Sequence, residues 1–89
     1  MQAGEEGVRI TIETGETLTS FASADLKVVL ETGGAVRTLT MTISGTTAYR
    51  DTVTTDFPSA GVYKCQLVVI KPGVTLKIPV FKISVGESL

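Results

Sequence analysis

A chain of 89 residues with eight basic and nine acidic side chains, net charge −1, has room for one domain. It carries neither a polybasic stripe for a phosphate backbone nor a run of about 20 apolar residues to span a bilayer. It has no His, one Cys and no Trp; the commonest general base and the Ser-His and Cys-His pairs are therefore missing, and one Cys makes neither an intramolecular disulfide nor a zinc site.

Thr occurs 14 times among many Val and Ile. Such β-branched side chains suit a pleated surface, so a single all-β domain is expected over residues 1–89. Val8, Ile10 and Ile12 alternate with Arg9, Thr11 and Glu13 as a half-buried strand. Thr14-Gly15-Glu16-Thr17 is a turn, after which Leu18 and Phe21 return to the core and Ala22–Ala24 suits a short helical turn. Leu26, Val28 and Leu30 mark the next strand, and Gly33-Gly34 reads as a tight hairpin turn.

The returning strand points Leu39, Met41 and Ile43 inward and Thr38, Thr40 and Thr42 outward, ending at Ser44-Gly45. A weaker strand from about Thr47 to Thr54 has Tyr49 and Val53 on one face, and Asp56-Phe57-Pro58-Ser59 makes a corner. Val62 to Ile70 is the longest apolar strand, with Tyr63, Cys65, Leu67 and Val69 on its inner face; Lys71-Pro72-Gly73 is a turn. Val74, Leu76 and Ile78 have one parity, and Phe81, Ile83 and Val85 the other. A one-residue slip reverses the faces of a strand, so a bulge is expected near Pro79-Val80. Six or seven strands with turns between them give the pattern of a β-sandwich.

Little in the chain carries chemistry. Cys65 lies on the inward parity between Tyr63 and Leu67, where a thiol is an inert small hydrophobe. Asp25, Asp51 and Asp56 lack the spacing of a calcium loop and read as solvated turn acids. Gly33-Gly34 joins two strands and lacks the following helix of a phosphate-binding loop. A carbohydrate-binding face needs a row of exposed aromatics, and most of Phe21, Tyr49, Phe57, Tyr63 and Phe81 read as core. No enzyme, cofactor, metal or small-molecule substrate is expected, and neither nucleic acid nor membrane as a partner.

The stretch Gln66–Phe81 is apolar on both parities, whereas a strand with one solvated face alternates. Val68, Ile70, Val74, Leu76 and Ile78 form a candidate interface on the even positions. Two readings stay open: the face is covered within the domain by a strand that changes sheets, or it contacts other protein. The positive mean hydropathy favours a domain that lives in an assembly. The opening MQAGEEGVRITIE starts acidic and then alternates, so no signal peptide is expected, and the lone Cys suits a reducing compartment.

Gly61, Tyr63 and Cys65 match the start of the sixth strand of an immunoglobulin sandwich, where a corner tyrosine bonds nearby backbone. Here the hydroxyl of Tyr63 would reach Phe57–Ser59. The partner cysteine of that fold would be replaced by a hydrophobic contact from Leu26, Val28 or Leu30, and its tryptophan by Leu39 or Met41.

Taken together, Gly4-Glu5-Glu6-Gly7, the Leu26–Val29 and Val36–Ile43 hairpin, Gly61-Val62-Tyr63-Lys64-Cys65-Gln66 and Phe81-Lys82-Ile83-Ser84-Val85 with Glu87 resemble the small immunoglobulin-like modules of tailed bacteriophages. They are similar to the N-terminal domain of the phage baseplate upper protein. The usual Asp-Gly turn is Gly33-Gly34 here. The resemblance implies an immunoglobulin-like β-sandwich of about seven antiparallel strands without a disulfide. It implies a non-enzymatic virion or prophage structural module of tail, baseplate or head. Such a module would act by protein contact, through self-association or with other virion components, and lie in the virion or in host cytoplasm before assembly. The alternative is an adhesion or spacer module of a bacterial surface or secreted protein.

Overall fold

The computed structural model describes residues 1–87; residues 88–89 of the single domain expected over 1–89 lie outside the described residues. Seven antiparallel strands form a curled sheet: β1 (Arg9–Glu13), β2 (Ser23–Leu30), β3 (Arg37–Ser44), β4 (Thr47–Asp51), β5 (Gly61–Lys71), β6 (Val74–Lys77) and β7 (Phe81–Val85). The order runs β1-β4-β3-β2-β5-β6, with β7 also on β5. No helix occurs among the described residues, and Cys65 is a free, buried thiol.

The curl begins in β3. Its first half, Arg37–Met41, pairs with β2, and its second half, Thr42–Ser44, pairs with β4. One strand thereby serves two differently oriented parts of the sheet, and the inward side chains of both parts meet in one core. Leu18, Leu26, Val28, Leu67 and Val69 are fully enclosed there, with Ala48 arriving from β4. Ile10, Ile12 and Ile43 pack against them, half-buried. Period-2 alternation is clean in β2, where Ala24, Leu26 and Val28 are buried, and in β5, where Tyr63, Cys65, Leu67 and Val69 are.

Three local expectations are corrected. The stretch before β2 holds no helical turn at Ala22–Ala24. The chain turns earlier, the Phe21 N–H donating to Leu18 O at 2.9 Å, and Ser23 and Ala24 already belong to β2. The Gly33-Gly34 turn is not a tight hairpin: residues 31–36 make a longer connection, with both glycines at strongly positive φ (131° and 135°). The fourth strand ends at Asp51, and its inward apolar residue is Ala48, while Tyr49 faces out beneath Arg9, 4.3 Å from guanidinium carbon to ring centre.

The bulge expected near Pro79-Val80 is present. Between the pairs Val68↔Lys77 and Cys65↔Phe81, β5 has two residues, 66 and 67, and its partner has three, 78 to 80. The extra residue restores Phe81, Ile83 and Val85 to the core side and leaves Val80 turned outward, 57% exposed. Pro79 removes a ladder donor at the one place where the ladder is interrupted.

Candidate functional site

The even-numbered candidate interface does not exist as one face. Pro72 and Gly73 close a two-residue hairpin in which Lys71 pairs with Val74, Ile70 with Thr75 and Val69 with Leu76. Directly paired residues share a face, so Val74 and Leu76 stand on the core side of β5 with Val69. The Ile78 N–H bonds Leu67 O at 3.0 Å, and its side chain packs against the core, as does that of Leu76. Val68 and Ile70 point the other way. A turn of two residues fixes this register, and Lys71-Pro72-Gly73 already contained it: closing the hairpin on paper pairs even with odd positions. Gly73 has φ 79°, as the second central position of a type II turn requires.

The outward face of the sheet instead gathers residues from β2, β3, β5 and the bulge. Val68 lies between Asp25 of β2 and Lys77 of β6 and is 9% exposed. Beside it runs a groove of about 590 Å³. Lys27 and Val29 of β2 and Lys64 and Gln66 of β5 form its floor, and Val36 and Val80 lie along its margins. Lys27 pairs with Gln66 and Val29 with Lys64, which sets the two lysines diagonally on adjacent strands, roughly 7 Å apart at their stems. The Lys27 ammonium donates to the Thr38 hydroxyl at 2.8 Å. Lys64 is exposed, and no acid lines the groove. Val36, the first residue of the Val36–Ile43 strand expected from the sequence but assigned to no interface there, lies just before β3 and is 63% exposed.

At the other end of β5 the corner is closed. The Tyr63 hydroxyl donates to Ser59 O at 2.8 Å and accepts the Ser59 N–H at 3.3 Å, the corner-tyrosine contact that the sequence pattern calls for. Phe57 packs edge-on against the Tyr63 ring, centroids 5.0 Å apart at 86°. Gly61 sits at φ 140°, and a Cβ there would lie 3.0 Å from Leu30 Cδ1, so both conformation and space call for glycine.

Asp56 is not a solvated turn acid. It is 2% exposed and accepts two hydrogen bonds from Arg50, at 2.8 and 3.0 Å, and one from the Val53 N–H at 3.1 Å. Arg50 shares the core-side parity of Ala48, and Arg37 that of Leu39, which is why both arginines reach the corner from inside. Arg37 donates to Thr55 O at 2.9 Å and to Asp56 O. Burial alone would raise the Asp56 carboxyl; its bonds to Arg50 and Val53 and the nearby Arg37 charge outweigh that, holding it below its usual value. Asp51, likewise lowered, makes a two-point pair with Arg9 on the exposed edge, while Asp25 lies on the outward face between Thr40 and Val68. The three acids do not converge, and among the described residues no group of three or more His, Cys, Asp or Glu is placed to hold a metal ion.

Cys65 is 1% exposed, and burial pushes its thiol up to about 11. Val28 lies directly opposite it on β2, in the same sheet. The second and sixth strands of an immunoglobulin domain face each other across two sheets; here β2 and β5 are neighbours, so Val28 flanks Cys65 and does not replace a bridging cysteine. The arrangement offers an inert core, a rigid corner and an outward groove of valines and lysines. Comparison of the chain with protein-family models, with curated proteins and with solved structures finds no match.

Proposed function

We propose that the chain is an immunoglobulin-like β-sandwich module that works by contact with other protein, as a structural component of a tailed-phage virion or prophage particle. The observation that carries the contact reading is the outward face of the sheet. Val36 and Val80 at the groove, with Ile70 further along β5, stand 63%, 57% and 40% exposed on one side of the molecule, and no second layer of the described chain covers them. Apolar side chains gathered on one surface mark interaction sites more often than isolated ones do.

The sandwich is supported by the corner contact between Tyr63 and Ser59 and by β3, which divides its pairing between β2 and β4. A shortest dimension of 18 Å accommodates two backbone layers about 10 Å apart. The virion assignment is supported by the short motifs Gly61-Val62-Tyr63-Lys64 and Phe81-Lys82-Ile83-Ser84-Val85. Peptide mass spectrometry of density-purified particles from the encoding cell tests it. The chain should co-purify with the particles at a fixed ratio to the other structural proteins. Its presence in the cell with absence from the particles would remove the virion assignment.

A further inference from the structure

Charge is segregated along this chain. Residues 61–85 contain Lys64, Lys71, Lys77 and Lys82 and no acid, whereas residues 1–16 contain Glu5, Glu6, Glu13 and Glu16 against Arg9 alone. Arg9 is already occupied by Asp51. The basic stretch supplies Lys64, Gln66 and Val80 to the groove, and Lys27 joins them from β2; neither lysine has a carboxylate partner among the described residues. The acidic half includes a presented pair. The Gly4 N–H donates to Phe57 O at 3.0 Å, the Gly7 N–H to Thr52 O at 2.7 Å, and the Thr52 hydroxyl to Glu5 O at 3.2 Å. The backbone of Gly4–Gly7 is thus tied to the body of the domain on both sides, while Glu5 and Glu6 are exposed. One Glu5 oxygen accepts the Gln2 N–H at 2.8 Å; Glu6 has no side-chain hydrogen bond or ion pair among the described residues.

We infer that the Lys27–Lys64 groove receives the Glu5-Glu6 loop of a second copy of this chain. The inference rests on the contact reading above and names its partner. Paired ammonium groups meet paired carboxylates, while Val29 on the floor and Val36 and Val80 along the margins supply the apolar contact. Exposed ion pairs alone contribute little, and it is the valines that must lose their water for the contact to hold. A loop already fixed by backbone hydrogen bonds loses little further freedom on docking. Groove and loop are different surfaces, so the contact is head-to-tail: repeated, it closes into a ring or extends as a filament.

Light scattering over a hundredfold concentration range, at about 0.05 and 0.5 M salt, reads the association. The wild-type chain associates, and raising the salt weakens it by about tenfold or more. A groove variant, Lys27→Glu with Lys64→Glu, and a loop variant, Glu5→Lys with Glu6→Lys, are each monomeric alone. Mixed, they reassociate, because the acidic groove of one takes the basic loop of the other and the reverse contact is complementary too. A monomeric wild type at both salts, variants that associate like wild type, or a mixture that stays monomeric would each overturn the inference. Circular dichroism confirms folding first. Should a double reversal unfold, the neutral exposed changes Lys64→Gln and Glu6→Gln each weaken association, and no weakening in either overturns it. A monomeric wild type found in particles ends this inference and leaves the virion reading standing; a salt-sensitive oligomer absent from particles does the opposite.

Discussion

β5 passes from one kind of environment to another along its 11 residues. Where it starts, Gly61, Tyr63 and the preceding corner are locked by side-chain bonds to backbone and by a buried ion pair, and no buried side-chain polar atom lacks a partner among the described residues. Further along, its partner strand is broken by a bulge opposite Gln66 and Leu67 that turns Val80 outward, and beyond it Ile70 on the outward face stands 40% exposed. The difference separates two tasks. Polar groups taken out of water need all their partners and so specify one geometry; apolar groups left in water specify nothing within the chain and remain available to another surface. Stability should therefore respond to changes at the corner, and association to changes on the outward face.

The largest effect is expected at Asp56. Asp56→Ala leaves Arg50 without its carboxylate inside the corner and should cost about 3 kcal/mol, read as a fall in the urea midpoint with an unchanged slope. A loss under about 0.5 kcal/mol, the scale of ordinary surface changes, would mean that the pair is not enclosed. The pH dependence carries the same sign. The folded carboxyl lies below its ordinary 3.8, so its contribution is complete above that value and is lost as pH falls through the lower folded one. Wild type should lose stability below about pH 4 more steeply than Asp56→Ala does.

Cys65 provides the next contrast, because it reports burial without substitution. With the thiol pushed up to about 11 from a reference of 9.0, thiolate is about a hundredfold scarcer than in an ordinary cysteine, and the sheet also blocks approach. A thiol reagent should label the native protein only as fast as it opens, and the unfolded protein at once. Rapid labelling in buffer would displace β5 from the inward parity that places Tyr63, Cys65, Leu67 and Val69 together.

Removing the corner hydroxyl is a smaller change. Tyr63→Phe keeps the ring against Phe57 but leaves Ser59 O without its donor, so a loss of about 1 kcal/mol is expected. The loss should disappear when Ser59 is replaced by proline, which has no N–H to offer, only if the N–H contact dominated. At 2.8 Å against 3.3 Å the hydroxyl-to-carbonyl bond is the shorter, and the loss should persist in that background.

What patterning could reach follows from range along the chain. The inward faces of β2 and β5 depend on parity within one strand, and the bulge at Pro79-Val80 on parity across a break of a few residues; both could be read from the residues alone. Asp56 could not be read in that way. Its enclosure depends on Arg37 and Arg50, which arrive from β3 and β4, and nothing local to Asp56 distinguishes a buried acid from a turn acid. The neighbouring of β2 and β5 is similarly non-local, since 30 residues separate Leu30 from Gly61. The misplacement of Val74, Leu76 and Ile78 has another origin. Their face follows from the two-residue turn at Pro72-Gly73, and parity carried straight across a hairpin gives the wrong side whenever turn length is ignored. The groove went unseen because its residues come from β2, β5, the start of the Val36–Ile43 stretch and the bulge at Val80, and which of these lie side by side depends on the non-local pairing of β2 with β5.

The smallest effect on stability, and the sharpest test of the division, is Val80→Ser. Val80 is 57% exposed beside Pro79, in the segment where the β5 ladder is interrupted. Shortening it removes little buried area, and the urea midpoint should move by less than about 0.5 kcal/mol. Because the bulge is what turns this residue outward, the same change strips an apolar margin from the groove and should weaken association at both low and high salt, unlike the charge reversals, whose effect fades as salt rises. A large stability loss from Val80→Ser would place this side chain inside the fold. The exposed face would then be smaller than the bulge implies, and the separation between a corner that holds the domain together and a face that meets other protein would have to be redrawn on the β2 side of the groove.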